Sequence, residues 1–277
     1  NCDECANYWS GDNCDQCGPR FAGANCDQCD AHFAGANCDE CADPSCLELD
    51  FVALSGGAFS MGGLAGQNHT LPAHQVNVPD FEILRGEVTV SQYRQCVAAG
   101  VCSAPPSGGQ FNWNAPGREN HPINGVSWVQ ARQFATWAGA RLLTEAEWEF
   151  AARSRGEDIL FPWGNELPDC DRTHNYTCDG LSTTPICTHP DGHSAQGVCD
   201  LGGNAWEWVL DSYHRTYENA PADGSAWCQE ADCLGADSNR VWKGGDYLSS
   251  LERMRSSARG YYGPTVHFTW MGFRIAR

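Results

Sequence analysis

Hydrophobic positions fall into two regimes along this chain. Through the first 46 residues apolar side chains are sparse and recur with a period of 12: NCDECANYWSGD, NCDQCGPRFAGA, NCDQCDAHFAGA, then NCDECADPSC. Each full unit places one aromatic residue (Trp9, Phe21, Phe33) two positions ahead of a glycine. A unit so poor in apolar surface has almost no core of its own, so covalent cross-links must hold it. From Leu47 the texture becomes that of a globular domain. FVALSGGAFSMGG, an apolar run punctuated by glycine, predicts a hairpin, and HQVNVPDFEI alternates so that Val76 and Val78 face one side of a strand. Three helix starts follow from capping-box spacing: Thr89 with Gln92, Ser127 with Gln130, and Thr144 with Glu147. Gly100 and Gly139 stand where C-terminal caps belong. Ala131, Phe134, Ala135 and Ala138 form one apolar face of the second helix, and Trp148, Ala151 and Ala152 extend it on the third. These faces are core. Beyond Phe161 the chain is rich in turns.

Composition sharpens this division. A chain of 277 residues with 42% hydrophobic content has room for one large domain and a small appendage, placed at 47–277 and 1–46. Eleven Trp, thirty Gly and fourteen Pro with 19% charged residues predict a loop-rich α+β fold pinned by aromatic packing, with few long helices. The formal charge of −18 repels nucleic-acid phosphates and anionic lipid heads, which argues against a nucleic-acid partner. No apolar run approaches membrane-spanning length, so direct membrane insertion is not expected; no signal peptide is evident, which suggests a mature or truncated ectodomain.

Seventeen cysteines predict an oxidising compartment, hence a secreted or cell-surface protein. Nine lie in the repeats, an odd set, so Cys46 or a terminal residue such as Cys2 is expected to pair outside it. The remaining eight form near-neighbour pairs, Cys96/Cys102, Cys170/Cys178, Cys187/Cys199 and Cys228/Cys233, with bridges between distant elements as the alternative. The repeat resembles laminin-type and other epidermal-growth-factor-like modules. Zinc binding by its Cys-x-x-Cys pairs is the weaker alternative, because a single histidine, His32, is interleaved with them.

GGAFSMG, GEVTVSQY, HPINGVSWVQARQFATWAGARLLTEAEWEFAAR, FPWGNE, DLGGNAWEWV, RVWKGG and the terminal GFR occur in that order from Gly56 to Arg274. Together they resemble the formylglycine-generating enzyme (sulfatase-modifying factor) family across the whole second domain. The resemblance implies a large, loop-rich variant of the C-type-lectin fold. It also implies two copper-binding cysteines shortly before the Gly-Phe-Arg end, which activate oxygen and convert a sulfatase cysteine to formylglycine. Counted back from Gly272-Phe273-Arg274, those positions fall on Leu251 and Ser256, and no cysteine follows Cys233. Soft Cu(I) needs thiolates or a comparably soft set, so copper is not expected and no catalytic residue is assigned. Calcium does carry over: the resemblance implies one ion held by Asn175, the Tyr176 carbonyl, Asp179 and the Leu181 carbonyl. It implies a second held by the carbonyls of Gly202, Gly203 and Ala205 with the carboxylate of Glu207. Such all-oxygen sets suit a hard cation. An Asx-turn loop stapled by Cys170 and Cys178 is the plainer reading of the first set.

In C-type-lectin folds the loops before the terminal Gly-Phe-Arg form an exposed binding face. Here they offer Arg259, Tyr261, Tyr262, His267, Phe268 and Trp270, aromatic area with two polar hooks. Tyr261 and Tyr262, beside Gly260 and the Gly263-Pro264 turn, are expected to be exposed, whereas Phe268 and Trp270 alternate with Thr269 and are equally compatible with the core. A facial iron site would need His189, His193, His214 and Asp246 to converge in part, which sequence does not show. The leading expectation is an extracellular binding or adhesion protein, a calcium-stabilised pseudoenzyme that takes a protein, peptide or glycan ligand. The alternatives are an oxygenase of altered chemistry on the same scaffold, or a regulator that holds Cys-containing peptides of sulfatase type.

Overall fold

The computed structural model describes residues 46–63, 68–178, 180–228 and 238–277 and, ahead of them, six short strands. These are β1 (Trp9–Ser10), β2 (Gln16–Cys17), β3 (Phe21–Ala22), β4 (Gln28–Cys29), β5 (Phe33–Ala34) and β6 (Glu40–Cys41). They pair antiparallel two by two, with Trp9 opposite Cys17, Phe21 opposite Cys29 and Phe33 opposite Cys41. Each pair therefore joins the aromatic end of one 12-residue unit to the Cys-x-x-Cys of the next. The repeat's periodicity is thus carried by ladders between units.

The larger region contains β7 (Phe51–Leu54), β8 (Gly57–Met61), β9 (His74–Val78), β10 (Phe81–Leu84), α1 (Val90–Ala98), α2 (Trp128–Trp137), β11 (Arg141–Leu142), α3 (Glu145–Ala152), β12 (Trp206–Ser212), β13 (Arg240–Lys243), β14 (Arg259–Tyr262), β15 (Met271–Phe273) and β16 (Ile275–Ala276). All three helices begin at the expected caps, with reciprocal bonds between Thr89 and Gln92, Ser127 and Gln130, and Thr144 and Glu147. Gly100 and Gly139 follow the helix ends with φ of 73° and 68°, the left-handed conformation that glycine adopts without penalty.

One expectation is corrected. FVALSGGAFSMGG does not close a hairpin on itself: β7 pairs with β10, and β8 pairs with β9. The chain leaves one sheet for the other at Ser55-Gly56, where the Gly56 N–H donates to Asp80 Oδ1 at 2.8 Å. Glycine punctuation here marked a change of sheet instead of a tight turn.

Two four-stranded sheets organise the interior. One has the order β11-β16-β10-β7; the other has the order β14-β13-β12-β15, with β12 and β15 parallel and the remaining pairs antiparallel. The second sheet separates two hydrophobic clusters. On one side Val209 and Val241 join Trp148, Phe150 and the buried face of β8 and β9, including Phe59, Val76 and Val78. On the other side Trp206, Trp208, Met271 and Phe273 join Tyr93, Trp128 and Phe134 from α1 and α2. Since successive strand residues point to opposite faces, the two central strands β12 and β13 serve both clusters.

Disulfides join Cys96 to Cys102, Cys170 to Cys178 and Cys187 to Cys199, with Cα separations of 5.2, 5.6 and 5.2 Å. Near-neighbour pairing therefore holds for these three. Cys46 and Cys228 are also disulfide-bonded, while Cys233 lies outside the described residues. Among the described residues no helix is long and apolar enough to cross a membrane.

Candidate functional site

Opposite neighbours in the ladder share a face, so the register of β12, β13 and β14 sorts the side chains. Glu207, Lys243 and Arg259 stand in one row, with Val241 and Tyr261 on the same face; Trp208, Trp242 and Gly260 stand in the next row, facing the other way with Trp206 and Tyr262.

The first face is a closed network of charges. Lys243 Nζ lies 2.9 Å from Glu149 Oε2, and Arg153 Nε donates to Glu149 Oε1 at 3.0 Å. Burial pushes the Glu149 carboxyl up, but Lys243 and Arg153 outweigh it and hold the group below its usual range. Tyr217 donates its hydroxyl to Glu145 Oε1 at 2.7 Å. Asp211 accepts the Glu145 and Trp227 backbone N–H groups at 2.7 Å each. Burial, then the charge of Glu145, pushes the Asp211 carboxyl up to about 7.

Arg259 belongs to this network, which corrects its expected place as an exposed polar hook. It is 4% exposed. Its guanidinium donates to Glu145 Oε2 at 2.8 Å and to the His69 carbonyl at 2.9 Å, and lies over the Tyr217 ring. Tyr261, on the same side, is exposed and stacks on Tyr213 with ring centroids 3.8 Å apart.

The second face opens to solvent at one end. A pocket of about 480 Å³ is walled by the rings of Trp206, Trp242, Tyr262 and Trp270 and floored by Asp246, Leu248, Ser249, Ser250 and Arg253. The rings brace one another: Trp206 meets Trp242 edge to face with centroids 4.0 Å apart, and Trp270 stacks on Phe268 at 4.4 Å and lies 5.8 Å from Tyr262. Gly260 permits this packing, since a Cβ there would come within 2.1 Å of the Trp242 indole. Asp246 accepts the Leu248 N–H at 3.2 Å and the Ser249 hydroxyl. Burial raises its carboxyl pKa in spite of both bonds. Trp270 and Phe268 are half-buried, and Tyr262 is exposed. His267 stands apart from the pocket wall: it is exposed, with Nδ1 2.8 Å from the Gly125 carbonyl.

The five expected ligand residues therefore do not share one face. Tyr262 and Trp270 line the pocket, Arg259 and Tyr261 lie behind the sheet, and His267 is on the surface. Trp206, Trp242 and Arg253 were not singled out as binding residues, and Asp246 was named only as a candidate iron ligand. The alternation Trp206-Glu207-Trp208 and Val241-Trp242-Lys243 carried the signal, because a charged residue between aromatics in a strand marks two faces of opposite character.

The expected copper positions offer no soft ligand. Ser256 is fully buried and donates its hydroxyl to the Ala152 carbonyl at 3.0 Å, and Leu251 begins a 3-10 turn over 251–254. The donor set does not fit Cu(I).

At the second oxygen set Glu207 and the Gly202 carbonyl have partners within the protein. Glu207 Oε2 accepts from Arg274 Nε at 2.7 Å and from Trp148 Nε1 at 2.9 Å, while Oε1 accepts from another Arg274 nitrogen at 2.7 Å. The Gly202 carbonyl accepts the Thr173 hydroxyl, and Gly203 and Ala205 are buried beside it. Glu207 is therefore the partner of the family-like Arg274, in a bidentate pair that already neutralises it.

At the first set, Asn175 is fully buried and its Oδ1 accepts the Thr177 N–H at 2.9 Å and the Thr177 hydroxyl at 2.7 Å, an Asx turn within the Cys170–Cys178 loop. Tyr176 and Leu181 are exposed, and Asp179 lies outside the described residues. His189, His193, His214 and Asp246 do not converge: among the described residues only Cys187, His193 and Cys199 come together as possible metal ligands, and the two cysteines are joined to each other.

Comparison with known proteins agrees with this architecture. Residues 41–277 match the model of the sulfatase-modifying factor enzyme 1-like domain. The chain belongs to that family. It is 32% identical to the formylglycine-generating enzyme of Streptomyces coelicolor, covering 81% of this chain and 88% of that protein. It is 29% identical to the hercynine oxygenase of Mycolicibacterium thermoresistibile, covering 74% of this chain but only 52% of the relative. Among solved structures, PvdO from Pseudomonas aeruginosa superposes with a TM-score of 0.69 at 29% identity, covering 82% of this chain and 93% of that one.

Proposed function

We propose that this family member is an extracellular ligand-binding module without formylglycine-generating activity, built on the family's C-type-lectin-like scaffold and presented by an epidermal-growth-factor-like stalk. One observation carries the reading. The segment 246–253 that leads into the expected thiolate positions floors an open aromatic pocket, while Ser256 itself is buried against α3. A pocket walled by rigid rings with a few polar groups is built for recognition. Nothing at Leu251 or Ser256 can replace two thiolates. The disulfides are in keeping with an oxidising compartment.

Incubation with a sulfatase-type cysteine peptide, followed by mass spectrometry, is expected to show the thiol intact. Ligand arrays probed with the intact chain are expected to give binding that Trp270→Ala abolishes. Conversion of the peptide thiol to an aldehyde would overturn the reading.

Calcium is proposed for the Cys170–Cys178 loop alone, with Asn175, Asp179 and the Tyr176 and Leu181 carbonyls as ligands. All are oxygen donors on a loop without regular ladders, where a hard cation adds order. Elemental analysis is expected to find calcium and neither copper nor iron in stoichiometric amount.

A further inference from the structure

The pocket has walls of two chemical kinds, and together they specify a charge pattern. Trp242, Tyr262 and Trp270 present ring surface, whose quadrupole attracts cations but provides no strong hydrogen-bond acceptor. The one carboxylate among them is Asp246, 5% exposed, with Oδ1 already engaged by Leu248 and Ser249. A primary ammonium or a guanidinium would enter with several N–H groups and find too few acceptors. A quaternary ammonium has no N–H to satisfy, so it loses nothing against the rings and gains the field of Asp246. Across the floor stands Arg253, exposed; its charge is felt by Asp246, but among the described residues no carboxylate forms a close ion pair with it. On a chain of net charge −18, a free anion is repelled at long range. An anionic group is therefore best delivered to Arg253 by a ligand that carries a cation too.

We propose that this pocket takes a small zwitterion of the phosphocholine type: a quaternary ammonium against Trp242, Tyr262 and Trp270 with Asp246 as counter-charge, and a phosphate on Arg253. The proposal rests on the reading of this pocket as the ligand site, and deepens it by naming the ligand class. The same chemistry reaches the pocket as a free solute or as a lipid headgroup.

Titration calorimetry of the full chain with choline, phosphocholine and phosphatidylcholine vesicles, with phosphatidylglycerol vesicles as control, tests it. Phosphocholine is expected to bind about tenfold more tightly than choline, because the anion adds a charge-assisted contact. Arg253→Gln, a change at an exposed position, should erase that advantage, bringing the affinity ratio of phosphocholine to choline to about one. Asp246→Asn should weaken choline about tenfold, and Trp270→Ala should remove both ligands. Saturation by phosphatidylcholine vesicles identifies a lipid headgroup as the source, and binding of the soluble compounds alone identifies a free solute. Thermal melts of each variant separate loss of binding from loss of fold.

Absence of saturable binding by choline and phosphocholine, or binding indifferent to both Arg253→Gln and Trp270→Ala, overturns the proposal. If a glycan array instead gives binding that Trp270→Ala abolishes, the ligand-site reading stands and the zwitterion falls. If neither the array nor these titrations give binding, both fall.

Discussion

The two faces of the sheet β14-β13-β12-β15 are made from alternate residues of the same strands, yet they solve burial in opposite ways. One face buries Glu207, Lys243 and Arg259 and must answer each charge with a partner from α3 or from Arg274. The other buries Trp206 and Trp208 and is mainly contact area, with Arg240 answered by the Leu210 carbonyl, the Ser212 hydroxyl and the Trp128 ring. The charged face is closed, because an unpaired ion in the interior costs several kcal/mol. The aromatic face tolerates an open rim, because a ring half in water loses little. The pocket that Trp206, Trp242, Tyr262 and Trp270 wall therefore forms on the second face.

The largest effect should come from breaking the charged face. Lys243→Met leaves Glu149 buried without its closest cation and is expected to cost about 3–5 kcal/mol in urea unfolding. Adding Glu149→Leu to that variant should recover much of the loss; if the single substitution costs less than about 1 kcal/mol, the network is not closed in the sense described. Gly260→Ala attacks the other face by driving a methyl group into the Trp242 ring. An overpacking cost of about 1–3 kcal/mol, with loss of ligand binding, is expected from combined melts and titrations.

Two neighbours sharpen the contrast. Tyr261→Ala removes the ring stacked on Tyr213 and should cost about 1 kcal/mol while leaving pocket binding intact. Tyr262→Ala should do the reverse, with binding lost and stability nearly kept. Equal effects on binding would mean that the sheet does not separate the two.

The last effect is a slope, at most about 1.4 kcal/mol per pH unit for one group. Asp211 titrates near 7 in the folded chain against an ordinary value of 3.8. Across that window the native state holds a proton that the unfolded chain has released. Its contribution to stability is therefore full below about pH 4 and declines as pH rises to about 7. His121, lowered to about 4 by burial and by Arg118, works in the opposite direction between 4 and 6.5. The informative quantity is thus the difference between wild type and Asp211→Asn, which should shrink steadily as pH is raised from 4 to 7.

Much of the local structure was legible. Capping boxes located all three helices, and alternation placed Val76 and Val78, because both signals act within a few residues. Arg259 was misplaced for the complementary reason: nothing near it in sequence announces Glu145, 114 positions away. The pairing of Glu207 with Arg274 was not legible for a similar reason, since the two lie 67 positions apart. Tyr262 and Trp270 were found by being aromatic near a turn. Arg253 was missed, and Asp246 was named only for an iron site, because a polar residue in a loop looks the same whether it faces water or a pocket of rings.

Strand β16 lies between β11 and β10, and β15 completes the other sheet beside β12. Both hydrophobic clusters therefore wait for residues 271–276, among the last to leave the ribosome of all those described. Until then Trp206, Trp208 and the apolar faces of all three helices have no final covering. Truncation a few residues short of Met271 should therefore leave the cluster around Trp206 and Trp208 uncovered and yield an aggregate in place of a smaller folded product.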